Sequence, residues 1–432
     1  VKWSEIVFSE IYNEPSRNGI YKSKEFHGTG CKLVNMGELF NFDFISNQEM
    51  KLIDLNDREL EKNSLIDGDL LFGRRSLVEA GAGKCSLVVN PDETTTFESS
   101  IIRVRLNQQK ADPRFYFYYF KSPHGRGRIQ SIVTGTNIKG IRGSELKELK
   151  VLYPPLKKQI IISQRLKVYD DLIENNVRRI QILEEMCQRI YREWFVDFHF
   201  PGHEEVKLVD SEMGKIPEGW EVITVGDVLE SIESGSRPKG GIDPNEKGVP
   251  SIGAENVLGL GQYEFEKEKY ISREFFEKMR RGIVQDKDVL LYKDGAKIGR
   301  KSMFRDEFPH EKCCINEHAF ILRTNSRCSQ NYLYFYLDRS DITQRIIGLN
   351  ANAAQPGINQ PGVKGLSFLL PEKEMIDLFE VHAEPLLSLL FNLAKKNKVL
   401  RTKRDILLPK FISGEIDVSE LNIELKEEAN VA

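Results

Sequence analysis

Apolar positions along this chain follow two regimes in turn, and the succession occurs twice. Each half opens with short β-type runs broken by Gly, Asn, Asp and Pro, such as Cys31–Val34 and Ser99–Arg105 in the first half and Ala319–Arg323 in the second. Aromatic runs follow at 115–120 and 332–337, behind Asp112-Pro113 and Ser329-Gln330. Those pairs are helix starts, so a short helix laying its rings against a sheet is predicted in each half. Core packing is the simpler use of such rings, ahead of base stacking.

The second regime is a heptad. After Pro154-Pro155 a seam runs through Ile162, Leu166, Tyr169, Ile173, Asn176, Ile180, Leu183, Cys187, Ile190 and Trp194. After Pro371 another runs through Ile376, Phe379, Ala383, Leu386, Leu390, Leu393, Asn397, Leu400, Arg404 and Leu407. Spacings alternating between four and three mark the narrow stripe of a coiled coil. Each seam carries one asparagine, Asn176 and Asn397, and a polar seam position pins register at a cost in stability. The two helices are therefore expected to pair with each other, antiparallel because the chain returns across a whole domain between them. Ile173, Asn176, Ile180 and Leu183 are expected to face Leu390, Leu393, Asn397 and Leu400. Pro385 should kink the second helix or delay its start.

The halves are a repeat. Asp67-Gly68-Asp69-Leu70-Leu71 is answered by Asp286-Lys287-Asp288-Val289-Leu290, and Phe115–Tyr119 by Tyr332–Tyr336. Gly140-Ile141 is answered by Gly357-Ile358, and Leu149–Pro154 by Leu366–Pro371. The offset is roughly 218 residues, and an internal repeat decides architecture before any other signal. The expected fold class is α+β: two pseudo-repeated α/β domains separated by two long helices that pair as an antiparallel coiled coil. The expected segments are a first domain at 1–155, a first long helix at 156–196, a connector at 197–219, a second domain at 220–371, a second long helix at 372–411 and a tail at 412–432.

Composition changes this picture little. Hydrophobic content of 40% and charged content of 29% are those of a globular protein. No apolar run is long enough for a membrane span, Val1–Glu5 lacks the apolar stretch of a signal peptide, and the cysteines show no disulfide framework. A cytoplasmic protein with no membrane partner is expected. The net charge of −3 argues weakly against nucleic acid, but only as an average. Lys121, Arg126, Arg128, Lys139, Arg142, Lys147 and Lys150 face only Glu145 and Glu148 within 121–150. Within 277–305, Lys278, Arg280, Arg281, Lys287, Lys293, Lys297, Arg300, Lys301 and Arg305 outnumber Glu277, Asp286, Asp288 and Asp294. Phosphate binding needs a local basic face, and one such cluster occurs in each half.

Several chemical signals fail on inspection. Gly81-Ala82-Gly83-Lys84-Cys85-Ser86 imitates a phosphate loop, but Val78 stands where its first glycine belongs and Cys85 follows the lysine. His310, Cys313, Cys314 and His318 could supply metal ligands on paper, yet adjacent cysteines in a strand point to opposite faces. No catalytic triad, paired carboxylates, glycine-rich cofactor loop or Asn-Pro-Pro-type methyltransferase tetrapeptide is found.

Tyr191–Phe198, Gly214–Glu221 and Leu407–Ile416 resemble the specificity subunits of type I restriction-modification systems, and the resemblance covers nearly the whole chain. It implies that each domain is a target recognition domain reading one half of a split, asymmetric sequence in double-stranded DNA. It implies that the helices form the spacer and dock two methyltransferase (modification) subunits, which use S-adenosylmethionine to methylate adenine at N6. Restriction/motor subunits, where present, add ATP- and Mg-dependent cleavage; this chain is expected to be non-catalytic and to bind no cofactor. Base edges are read by Arg or Lys on guanine and by Asn or Gln on adenine. The candidate DNA contacts are then Arg74, Arg75, Ser76, Lys84, Thr134, Thr136, Asn137 and Lys139 in the first domain. In the second they are Lys293, Lys297, Arg300, Lys301, Asn350, Asn352, Gln355, Asn359 and Gln360. Gly135, Gly140, Gly357 and Gly362 are read as turn formers.

Overall fold

The computed structural model describes residues 3–77, 81–243, 245–350 and 357–418. The chain divides into two compact units, Val1–Asp171 with Arg401–Ala432, and Leu172–Leu400. The division falls inside both long helices rather than at their ends. Among the described residues no helix is long and apolar enough to cross a membrane.

The first unit is built on a five-stranded sheet in the order Arg17–Asn18, Ile101–Val104, Leu70–Gly73, Cys85–Val88, Phe44–Ile45. Its pairs are antiparallel except the last, Phe44–Ile45 with Cys85–Val88. A three-stranded sheet sets His27–Val34 between Lys51–Ile53 and a parallel Thr95–Phe97. Ser4–Val7 pairs antiparallel with Lys150–Tyr153, just before the first long helix. The aromatic helix forms at Pro113–Lys121, where the Asp112 side chain accepts a hydrogen bond from Phe115 N and proline occupies the first turn. Phe115 to Phe120 are all buried, Phe120 meeting Phe72 edge-on at 5.0 Å. Tyr116 satisfies its hydroxyl by donating to Leu152 O at 3.1 Å.

The second unit repeats this plan. Leu229–Ser234, Ala319–Thr324, Val289–Tyr292 and Lys301–Met303 form an antiparallel sheet. Lys269–Ile271, Val249–Ile252 and Cys314–Ile315 form a three-stranded one, again with one parallel pair. Glu221–Thr224 pairs with Ser367–Leu370. The aromatic helix Gln330–Asp338 starts on the Ser329 side chain, which accepts from Tyr332 N. Tyr332 donates to Leu369 O at 2.8 Å, the counterpart of the Tyr116 bond. The rings are core in both units, as their spacing predicts.

The long helices span Leu156–Phe195, 40 residues, and Lys373–Ser413, 41 residues, each about 60 Å at 1.5 Å per residue. Within the second unit they touch in opposite directions: Asn176 Nδ2 donates to Asn397 Oδ1 at 2.8 Å, while Tyr191 meets Phe379 at 5.9 Å. Ile173, Ile180, Leu183, Leu390 and Leu393 are buried, and Leu400 is half-buried. The buried stripe is wider than the seam read from the sequence. Ile190, Trp194 and Leu386 are half-buried against the same core, Trp194 meeting Phe379 at 6.4 Å, while the neighbouring Tyr191, Phe195 and Leu387 are buried more deeply. Tyr191 and Phe195 meet rings outside the helix pair, Tyr332 at 5.2 Å and Trp220 at 5.9 Å, so the core of the second unit claims those positions. Pro385 does not delay the second helix, which begins at Lys373 and runs through it. Arg404 is no blemish: in the first unit its Nη1 donates to Asp170 Oδ1 at 2.5 Å.

Candidate nucleic-acid interface

In the first unit the strand Leu70–Gly73 runs out into Arg74, and there two distant loops are zipped together. Arg75–Ser76 pairs antiparallel with Lys139–Gly140, and Ile141 N donates to Arg74 O at 3.1 Å. Thr134 and Gly140 exchange backbone hydrogen bonds of 2.9 Å in each direction. Gly135 has φ +102°, and a Cβ there would lie 2.1 Å from Ile138 O. A Cβ on Gly140 would lie 2.7 Å from Arg74 O. Both positions need glycine so that the loop can turn and lie against its partner.

The ribbon gathers most of the first-unit candidates. Arg75, Thr134, Thr136 and Asn137 are exposed, Arg74 and Lys139 are half-buried, and Ser76 is buried. Arg74 Nη1 donates to Ser99 O at 3.4 Å. Lys84 lies against the strand Leu70–Gly73, its carbonyl accepting from Gly73 N, and its Nζ donates to Phe40 O at 2.5 Å. Beside the ribbon a groove of about 800 Å³ is lined by Tyr12, Glu14, Asn18, Arg74, Arg142 and Lys147 among others. Of the basic cluster, Lys121 pairs with Asp43, Arg128 with Glu5, and Arg126 donates to Gly83 O. Those cations serve the fold, and the exposed remainder, Arg142, Lys147 and Lys150, follows the ribbon along the chain.

The second unit uses the same junction. Asp294 bridges Gly357, Ile358 N donates to Lys293 O at 2.9 Å, and Gly357 N donates to Asn350 Oδ1 at 2.8 Å. The candidate side chains, however, divide differently. Lys297 is exposed, and Lys293 Nζ sits 5.0 Å from the Phe320 ring centre. Arg300 Nη1 donates to Ala254 O and Val257 O at 3.2 and 2.9 Å. Lys301 is buried, with Nζ 2.7 Å from Thr343 Oγ1 and 3.4 Å from Asp338 Oδ1, and burial pulls its pKa down. Asn359 caps a helical turn by accepting from Gly362 N, and Gln360 donates to Ile232 O. Arg300, Lys301, Asn359 and Gln360 are thus engaged within their own unit. Asn352 and Gln355 lie outside the described residues.

Polar groups that sequence reasoning missed surround the second junction. His318 Nδ1 is 2.9 Å from Asp294 Oδ2, and Arg237 Nε is 2.9 Å from Glu317 Oε1. No local spacing brings residues 237, 294 and 317 together; strand pairing does. His310 is held by Glu268, and among the described residues no group of His, Cys, Asp and Glu is placed to hold a metal ion.

Comparison with known proteins gives a consistent result. The family described as the type I restriction modification DNA specificity domain matches residues 16–185 and again 217–401. The chain is 25% identical over 404 residues to the type I restriction enzyme MjaIX specificity subunit of Methanocaldococcus jannaschii, covering 93% of this chain and 90% of that one. It is 24% identical over 324 residues to the putative MjaX specificity subunit of the same organism, covering 74% and 72%. The fold is similar to the crystal structure of a type I restriction-modification S subunit from M. genitalium, with TM-score 0.53, 16% identity and coverage of 95% and 96%.

Proposed function

This chain belongs to the type I restriction-modification DNA specificity family, and on that footing we propose that each unit reads one half of a bipartite, asymmetric site in double-stranded DNA. One observation carries the reading. A corresponding run of four sheet strands and the same loop junction occur twice, at Arg74–Ser76 with Thr134–Gly140 and at Lys293–Asp294 with Gly357–Ile358, but bear different side chains. A duplicated frame with unlike loops suits two unlike half-sequences. Exposed cations at each junction supply salt-dependent phosphate affinity, and a few side chains on base edges supply sequence.

The chain acts as a non-catalytic recognition subunit. Its helices pair as an antiparallel coiled coil, set the number of unread bases between the half-sites and dock two methyltransferase subunits. Those partners bind S-adenosylmethionine and methylate adenine at N6; restriction/motor subunits add ATP- and Mg-dependent cleavage. A helix of about 60 Å exceeds one turn of B-DNA, about 34 Å, which supports the spacer role.

Mapping methylated adenines in the host genome tests the reading: two unlike half-sequences at one constant spacing are expected. An uninterrupted or palindromic motif would overturn it. Lengthening both helices by whole turns should change the spacing before it changes either half-sequence.

A further inference from the structure

The first unit's ribbon carries two large apolar side chains in water. Leu77 is 83% exposed and Ile138 is 55% exposed. Ser76 and Lys139 are the last register partners of the ribbon, and Leu77 and Ile138 are the residues next to them where the two strands end. Burial alternates along one strand, with Arg75 exposed, Ser76 buried and Leu77 exposed, which places Arg75 and Leu77 on the outward face. Exposed Thr136 and Asn137 precede Ile138. Arg74, Arg75, Lys139 and Arg142 bring positive charge to the same surface.

An apolar pair at the tip of a cationic ribbon is costly in water unless something covers it. Positive charge on the flanks selects a polyanion, and the major groove of B-DNA admits a two-stranded β-ribbon. The one apolar group exposed on base edges in that groove is the thymine C5-methyl. We propose that Leu77 and Ile138 form an apolar reader of a thymine methyl group in the half-site of the first unit. The second unit has no such pair among its described residues: Ala296 and Lys297 follow Gly295 at the matching strand exit. The inference rests on the DNA-reading function proposed above.

The test uses the full chain and duplexes selected by it from a random-sequence pool. Each thymine of the selected site is replaced in turn by deoxyuridine, which removes only the methyl group. Binding should weaken about fourfold at one thymine or more, the worth of burying one methyl. A chain carrying Leu77→Ala and Ile138→Ala should bind thymine and uracil duplexes alike while unfolding at the wild-type temperature. Indifference to every uracil substitution, a selected site without A·T pairs, or a uracil penalty that persists in the double variant overturns the methyl reader and leaves DNA reading standing. Failure of the chain to enrich any sequence overturns both.

Discussion

Arg323 lies flat against Asp288, its Nε and Nη2 donating to the two carboxylate oxygens at 2.7 Å each. The first unit holds the same pair: Arg105 donates to both oxygens of Asp69 at 2.8 Å each. Each aspartate also accepts a backbone N–H three residues upstream, Gln285 for Asp288 and Ile66 for Asp69. The turns ahead carry positive φ, +65° at Lys287 and +85° at Gly68. Asp69 and Asp288 are 0% and 1% exposed, so each clamp ties a central strand to its neighbour through a buried charge.

Removing Asp288 takes away the bidentate partner of Arg323 and leaves it Glu233 as its remaining carboxylate, 2.8 Å from Nη1. Asp288→Ala should destabilise the second unit by up to about 3–5 kcal/mol, the cost of a fully uncompensated buried charge, read as a shift in its denaturant midpoint. An apolar double replacement, Asp288→Leu with Arg323→Met, should cost less than Asp288→Ala alone. Equal losses in both variants would show that the clamp acts through packing and not through charge.

The asparagine pair offers a second double-replacement test. Asn397 is 5% exposed, accepts from Asn176 and donates to Ile173 O. Asn397→Ala should cost about 1–3 kcal/mol, the desolvation of amide groups left unpaired. Leucine at both Asn176 and Asn397 should restore stability or exceed it, since the polar pair serves register rather than strength. Urea unfolding of the three chains decides; an unchanged midpoint for Asn397→Ala would contradict the hydrogen-bonded geometry.

Stability should also depend on pH through Glu184. Burial, reinforced by the negative charges of Asp338 and Glu185, raises its carboxyl to about 7. A group whose folded pKa exceeds its unfolded value holds a proton that the unfolded chain has lost. Stability therefore falls as pH climbs from the ordinary glutamate range to about 7, then stays level. Glu184→Gln should leave stability unchanged near pH 4.5 and raise it by about 1–3 kcal/mol above pH 7. Parallel pH profiles for the two chains would exclude the ionised carboxylate as the cause.

Position within the fold separates lysines that neighbour one another in sequence. Arg75→Ala and Lys297→Ala, at exposed sites on the two junctions, should weaken DNA binding and lower the salt slope by up to about 0.9 for each phosphate left without its cation. Lys301→Met should lower thermal stability and leave the salt slope as it is, because its ammonium serves Thr343 and Asp338. Filter binding across a salt series distinguishes the two outcomes. A slope change in Lys301→Met would place that residue on the DNA after all.

The amino-acid sequence by itself determined the elements whose signals are local. The heptad spacings predict two long helices, Asp112 and Ser329 predict where the aromatic helices start, and the paired Asp-x-Asp and aromatic runs reveal the duplication. Tertiary structure alone decided which charges face water. Arg126 and Lys301 sit in basic runs like Arg142 and Lys297, yet backbone carbonyls and a distant aspartate claim the first two. Such partners lie tens of residues away, and no short-range periodicity encodes them. The same holds for the first long helix, where Tyr332 and Trp220 draw Tyr191 and Phe195 into the core beside the half-buried Ile190 and Trp194. Spacing along a chain predicts what is periodic; a hydrogen bond between residues 74 and 141 forms only when folding has closed the distance between them.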